Sequence, residues 1–166
     1  MAAAGSLPER SFRNGSNMPR SARLRGFSLI ELLVVVAIVL ILASVAIPNF
    51  MRARRIANEA SSVASLRSIA SGQLAYRQTQ GNYISLSALG TEKIIDDVLA
   101  SGTKSGYTFD SAAGSNTASE FTAVGAPAVS SGFAASGVRF FFVNQDQVVR
   151  FSLSGPASAS SSPLTD

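Results

Sequence analysis

The chain contains no cysteine and no histidine. The first absence excludes a disulfide framework and thiolate chemistry, even for a part that faces an oxidising compartment. The second removes the commonest general base, the Ser-His-Asp triad and most zinc sites. Charge is also scarce: 14% of the 166 residues are Asp, Glu, Lys or Arg, with a net charge of +4. Residues 1–26 hold Arg10, Arg13, Arg20, Arg23 and Arg25 against Glu9, five of the fourteen bases and one of the ten acids. The remainder is therefore balanced, and the basicity that might suggest a nucleic-acid partner belongs to the leading segment.

What is abundant is apolar surface, gathered in one place. From Leu29 to Ile47 only Glu31 and Ser44 are polar. As a helix this run spans about 28 Å, close to the hydrocarbon thickness of a bilayer. A single membrane span is expected, with the preceding arginines holding the N-terminus on the cytoplasmic side and the C-terminal part outside.

Three plain readings compete for this segment. A secretory signal peptide would use "SVA" at Ser44–Ala46 as its cleavage site, but the apolar run is longer than usual, carries an acid near its start and flows into a continuing helix. An ordinary one-span anchor leaves Glu31 as an unexplained cost, about 2.5–3.5 kcal/mol for an acid at a span centre and less near an end. A buried core helix fits poorly, because the remaining chain is too short to surround it.

Beyond the span the helical pattern continues. Winding at 100° per residue puts Ile56, Ala60, Val63, Ala70 and Leu74 on one stripe, with Arg54, Asn58 and Ser65 away from it. Arg67 falls inside the stripe and Ile69 opposite it. Gly81 follows "YRQTQ" as a cap, giving one helix from about Ser28 to Gln80, weakened at Pro48, which lacks the N–H for the Ser44 carbonyl. Next, "TEKIIDDVLASG" predicts a short helix with Thr91 as N-cap and Gly102 as stop. Strand patterns follow in "GYTFD", "EFTAVG" and "GVRFFFVNQDQVVRFSLS", the last reading as a hairpin turning at "NQDQ". Both faces of that hairpin are apolar, so one packs on the helix and the other needs cover. The Ser, Ala and Gly between residues 111 and 136, and the tail "SGPASASSSPLTD", predict mobile loop and terminus.

"RGFSLIE" at Arg25–Glu31, leading into the apolar run, resembles the class III signal of type IV pilins and the related type II secretion pseudopilins. "AIPNF" at Ala46–Phe50 and the helix-then-sheet order are similar too. The resemblance implies that a membrane prepilin peptidase cuts between Gly26 and Phe27, that Phe27 becomes N-methylated, and that Glu31, the fifth mature residue, takes part in subunit assembly. It implies an α+β fold: one long N-terminal helix with an antiparallel sheet of three or four strands packed on its C-terminal half. The corresponding parts are a basic leader (1–26), an assembly helix with a helix break at Pro48 (27–48), an amphipathic continuation (49–80), a loop-and-sheet region (81–154) and a flexible tail (155–166). The function implied is a structural subunit, not an enzyme, with no cofactor. Its partners would be copies of itself, the peptidase/N-methyltransferase, an inner-membrane assembly platform, and the bilayer before assembly. A pseudopilin forming a periplasmic piston and a minor pilin acting as a binding tip remain open.

The chain departs from many pilins in lacking a C-terminal disulfide. Its leader is longer than the shortest in the group, so Met18 is an alternative start, leaving "MPRSARLRG". Asp96 and Asp97 read as solvated acids on a short helix. Asn144 and Asp146 carry oxygens of the type calcium takes, but turns choose these residues for backbone reasons, so no metal site is assigned. Arg52, Arg54 and Arg55 with Phe50 read as an interface anchor beside the span, and DNA binding there has no support. The Phe140–Phe142 triplet is expected to serve as core plus subunit contact.

Overall fold

The computed structural model describes residues 26–114 and 117–165. The leader residues 1–25, with their arginines and Met18, lie outside the described residues. Two compact units divide the chain, Met1–Val39 and Leu40–Asp166. Helix α1, Leu29–Gln80, starts in the first and continues in the second. It passes through Pro48 without interruption, so this proline is a missing hydrogen bond inside a helix and not an end. Gly81, at φ 80°, closes it by donating its N–H to the Arg77 carbonyl at 2.8 Å.

The single short helix expected after residue 90 is replaced by two. Helix α2 spans Leu86–Thr91 and α3 spans Asp97–Ala100. Thr91 ends α2 instead of capping a helix; the caps are Ser85 and Asp96, whose side chains accept the N–H groups of Ala88 and Leu99. The reason is local: Leu86 and Leu89, three apart, both reach the core, which winds "LSALGT" into a turn before the predicted start. Gly102 is the stop, at φ 82°.

Among the described residues six strands, not three or four, form one antiparallel sheet in chain order. They are β1 (Thr103–Lys104), β2 (Tyr107–Ala113), β3 (Phe121–Pro127), β4 (Phe140–Asn144), β5 (Arg150–Ser152) and β6 (Ser162–Pro163). The predicted strands are β2, β3 and the β4–β5 hairpin, whose turn is closed by the Gln147 N–H on the Asn144 carbonyl. The two-residue β1 and β6 are too short to carry a pattern. Alternation places Tyr107, Phe109 and Ser111 of β2, and Phe121, Ala123 and Gly125 of β3, on the inner face. Register sets Gly125 opposite Phe109 and Phe141.

The helix face that receives this sheet differs from the predicted stripe. Buried on α1 are Ser62, Ser65, Leu66, Ile69, Ala70, Gly72 and Gln73. Ile56 is 63% exposed and Leu74 37%. The packing face is therefore rotated by about a third of a turn from the apolar stripe. Small residues cause this, because they let backbones approach. A Cβ added to Gly125 would sit 3.0 Å from Ser62 Oγ and 3.4 Å from Leu66 Cδ1, and one on Gly72 would sit 3.1 Å from Ile94. Ile69, which falls opposite the apolar stripe, is in the core with Leu66, Leu89, Leu99, Tyr83, Phe121 and Val143.

Two segments expected to be mobile are instead tied down. Residues 111–113 and 121–127 belong to β2 and β3. In the tail, β6 pairs with β5, and Leu164 donates its N–H to the Val149 carbonyl at 2.8 Å. Pro156 and Ala157 line a shallow pocket with Val124 and Phe140, supplying part of the cover that the outer face of the hairpin required.

Candidate functional site

Gly26, Phe27 and Ser28 precede the helix, and the Ser28 carbonyl accepts its first bond, from the Leu32 N–H at 3.2 Å. The Gly26–Phe27 peptide is therefore outside the hydrogen-bonded ladder that would shield it. Among the described residues nothing lies within 4 Å of where a Gly26 side chain would start, and Phe27 is exposed.

Glu31 occupies the first turn of α1. The unsatisfied N–H groups of that turn favour a negative side chain, which is a local reason for an acid to be tolerated there. Among the described residues its carboxylate has no hydrogen-bond or ion-pair partner. It stands beside Ile30 and Leu32, both exposed.

The large apolar side chains from Phe27 to Phe50 are between 46% and 76% exposed. α1 thus contains an apolar segment long enough to cross a membrane, and none of that segment is buried among the described residues. Such a surface needs an apolar surrounding, either lipid or other helices. The one hydroxyl inside it is satisfied locally: Ser44 Oγ donates to the Ile41 carbonyl at 2.7 Å.

The arginine cluster beyond the span divides. Arg52 and Arg54 are exposed. Arg55 is committed to the globular part, donating to the carbonyls of Gly132 (2.8 Å), Phe133 (3.0 Å) and Ala135 (3.2 Å). One turn on, Asn58 donates to the Ser136 carbonyl. Glu59 accepts the Val138 N–H at 2.9 Å and pairs with Arg139 at 3.5 Å. Burial, reinforced by the Glu59 charge, raises the Tyr107 phenol well above its ordinary range; its hydroxyl donates to the Arg139 carbonyl at 3.0 Å. This latch between α1 and the β3–β4 connection left no signal in the sequence, because its partners lie nearly 80 residues apart.

The remaining candidate acids have structural partners. The Leu99 N–H and then Lys104 hold the Asp96 carboxyl below its ordinary range, and Asp97 pairs with Lys93 at 2.7 Å. Asp146 accepts the Val148 N–H and pairs with Arg150 at 3.3 Å. Among the described residues no three of His, Cys, Asp or Glu gather as a metal cluster.

Residues 22–47 match a family described as the prokaryotic N-terminal methylation motif. The chain is 44% identical over 64 residues to the type IV wide pilus major component PilA4 of Thermus thermophilus, covering 39% of this chain and 49% of that protein. It is 38% identical over 61 residues to the type IV major pilin protein PilA of Myxococcus xanthus, covering 37% and 28%. Over this N-terminal stretch the chain resembles type IV pilins. The fold is consistent with that resemblance: a long apolar N-terminal helix followed by an antiparallel sheet, a pilin-like α+β arrangement. The matches span about half the length of one relative and less of the other. The matched motif lies on the segment that holds Gly26, Phe27 and Glu31.

Proposed function

We propose that the chain is a prepilin, cut between Gly26 and Phe27, N-methylated at Phe27 and polymerised into a type IV pilus-like filament. The observation that carries this reading is an exposed apolar helix segment headed by an acid that has no hydrogen-bond or ion-pair partner among the described residues. The cut creates a positive amine at Phe27, four residues before Glu31. Stacking of helices from successive subunits then allows the amine of one to meet the carboxylate of the next. An acid that is costly alone in a low-dielectric setting becomes tolerable when paired, and the pairing penalises wrong register. Exchanging lipid for neighbouring helices keeps apolar surface away from water throughout.

Before assembly the precursor is a single-pass inner-membrane protein, with its arginine-rich leader in the cytoplasm and the part after the span outside. A prepilin peptidase/N-methyltransferase and an inner-membrane assembly platform are its processing partners, and copies of itself its final ones. Near Pro48 the missing hydrogen bond to Ser44 gives the helix a place to loosen within a fibre. The role is structural, and no reaction is assigned to the chain. The names of the two relatives, both major pilus components, favour a surface fibre over a periplasmic piston or a fibre tip.

Glu31→Ala tests the mechanism. Processing at Gly26 is expected to persist while fibres vanish from sheared-cell preparations. Normal fibre yield from this variant rules out the pairing role.

A further inference from the structure

The bonds between α1 and the rest of Leu40–Asp166 order the globular elements along the helix. Arg55 binds residues 132, 133 and 135; Asn58 binds 136; Glu59 binds 138 and 139; Ser61 binds Ser105; Ala70 receives Gln147; Gln73 binds 84 and 111. In this order the loop 129–136 stands first, nearest the end of the apolar run at Ile47. Eight residues separate Ile47 from Arg55, about 12 Å of helix, and helical side chains lean back toward the N-terminus. The headgroup layer beyond the hydrocarbon is about 5–8 Å deep on each side. The loop is thus held at the level where the bilayer surface would lie.

Its chemistry suits that level. Ser136 closes it on Val129, with the Ser136 N–H on the Val129 carbonyl at 2.8 Å and the Val129 N–H on Ser136 Oγ at 3.1 Å. The tip presents Phe133, 62% exposed, and the flank presents Val129. No charged residue occurs between Glu120 and Arg139, so the loop brings no ion to desolvate. At the same level α1 exposes Phe50, Arg52 and Arg54. A membrane surface cuts a helix as a plane, so aromatics and cations at one height serve together whichever side they face.

We propose that the loop 129–136 is a membrane-contacting element of the precursor, with Phe133 inserted among lipid headgroups and Arg52 and Arg54 paired with their phosphates. The occupant is the bilayer itself, argued from continuity with the exposed apolar run Leu40–Ile47 and from charge complementarity to anionic lipid. The proposal rests on the reading of that run as membrane-inserted. It gives the loop a role before assembly: the globular part is seated on the membrane by two attachments instead of swinging on one helix.

The chain has no tryptophan, so single reporters can be placed in the full-length protein. Phe133→Trp and Val129→Trp probe the loop, Leu42→Trp the span, and Val98→Trp, exposed on α3, a site away from it. Each is reconstituted in vesicles of anionic phosphatidylglycerol and phosphatidylcholine with brominated acyl chains. The loop and span reporters are expected to lose most of their emission to bromine, and the α3 reporter none. Changing Arg52 and Arg54 to Gln should restore emission from the loop reporters and leave Leu42→Trp quenched. Quenching at Leu42→Trp with none at either loop position overturns the proposal while the span reading stands. No quenching at any position overturns both. Loop emission that shifts only on self-association, without quenching in vesicles, assigns the loop to a second copy and also overturns it.

Discussion

Gln73 offers the most quantitative perturbation. It is fully buried on α1, where its Nε2 donates to the Ile84 carbonyl and to Ser111 Oγ at 3.0 Å, while its Oε1 accepts the Ile84 N–H at 3.1 Å. One amide thereby ties the connection after α1 and the centre of β2 to the helix. Gln73→Met keeps length and approximate volume but can make none of the three bonds. Each contributes about 0.5–1.5 kcal/mol net, and a buried group stripped of its partner costs about 1–3 kcal/mol. Ser111 is buried and bears that cost, whereas half-buried Ile84 recovers water in part. Better burial of the methionine offsets about 1 kcal/mol. The expected loss is about 3 kcal/mol, roughly a hundredfold in the folding equilibrium. Guanidinium titration of the full chain in detergent micelles measures it, followed by near-ultraviolet circular dichroism of Tyr83 and Tyr107, both buried. The midpoint should fall by about 1 M. A midpoint within about 0.2 M of the parent refutes the view that this amide holds the globular part to α1.

Gly125→Ala should destabilise by about 1–3 kcal/mol in the same titration, because its methyl would press on Ser62 and on Phe109, 3.2 Å away. Asp96→Ala should cost about 1 kcal/mol as a lost N-cap. Because the folded-state carboxyl is lowered, its stabilisation is present above the unfolded value near pH 4 and fades as pH falls below it. Parent and variant should therefore converge in acid. Tyr107 acts at the other end: its phenol is raised, so stability should begin to fall as pH rises through about 10, where only the unfolded chain ionises; Tyr107→Phe should lose less there. Gly26→Val should leave the precursor uncut, seen as an intact leader by mass spectrometry.

Much of the fold was legible, and the rest was hidden for identifiable reasons. The apolar run announces itself because its residues are contiguous, and "RGFSLIE" because its order is fixed. Gly81 and Gly102 mark helix ends because positive φ needs glycine. β2 and β3 alternate cleanly between buried and exposed positions. The packing face of α1 stayed hidden because it is built from Ser62, Ser65 and Gly72, chosen for close approach, and from Gln73, whose polarity is cancelled by hydrogen bonds. The tail looked mobile by composition, yet β6 needs only backbone groups to pair with β5. At the N-terminal site the residues could be read but not their setting: that Glu31 has no partner within the described chain is a property of the fold.

The central claim is that Gly26–Phe27 is a cut site and that the cut subunit builds a fibre. Filaments sheared from cells, with the N-terminus of their main protein sequenced by mass spectrometry, test both parts at once. N-methylphenylalanine at Phe27 as the first residue of abundant fibres is the expected result. A chain beginning at Ile47, as cleavage after "SVA" would give, or fibres free of this protein, would contradict it.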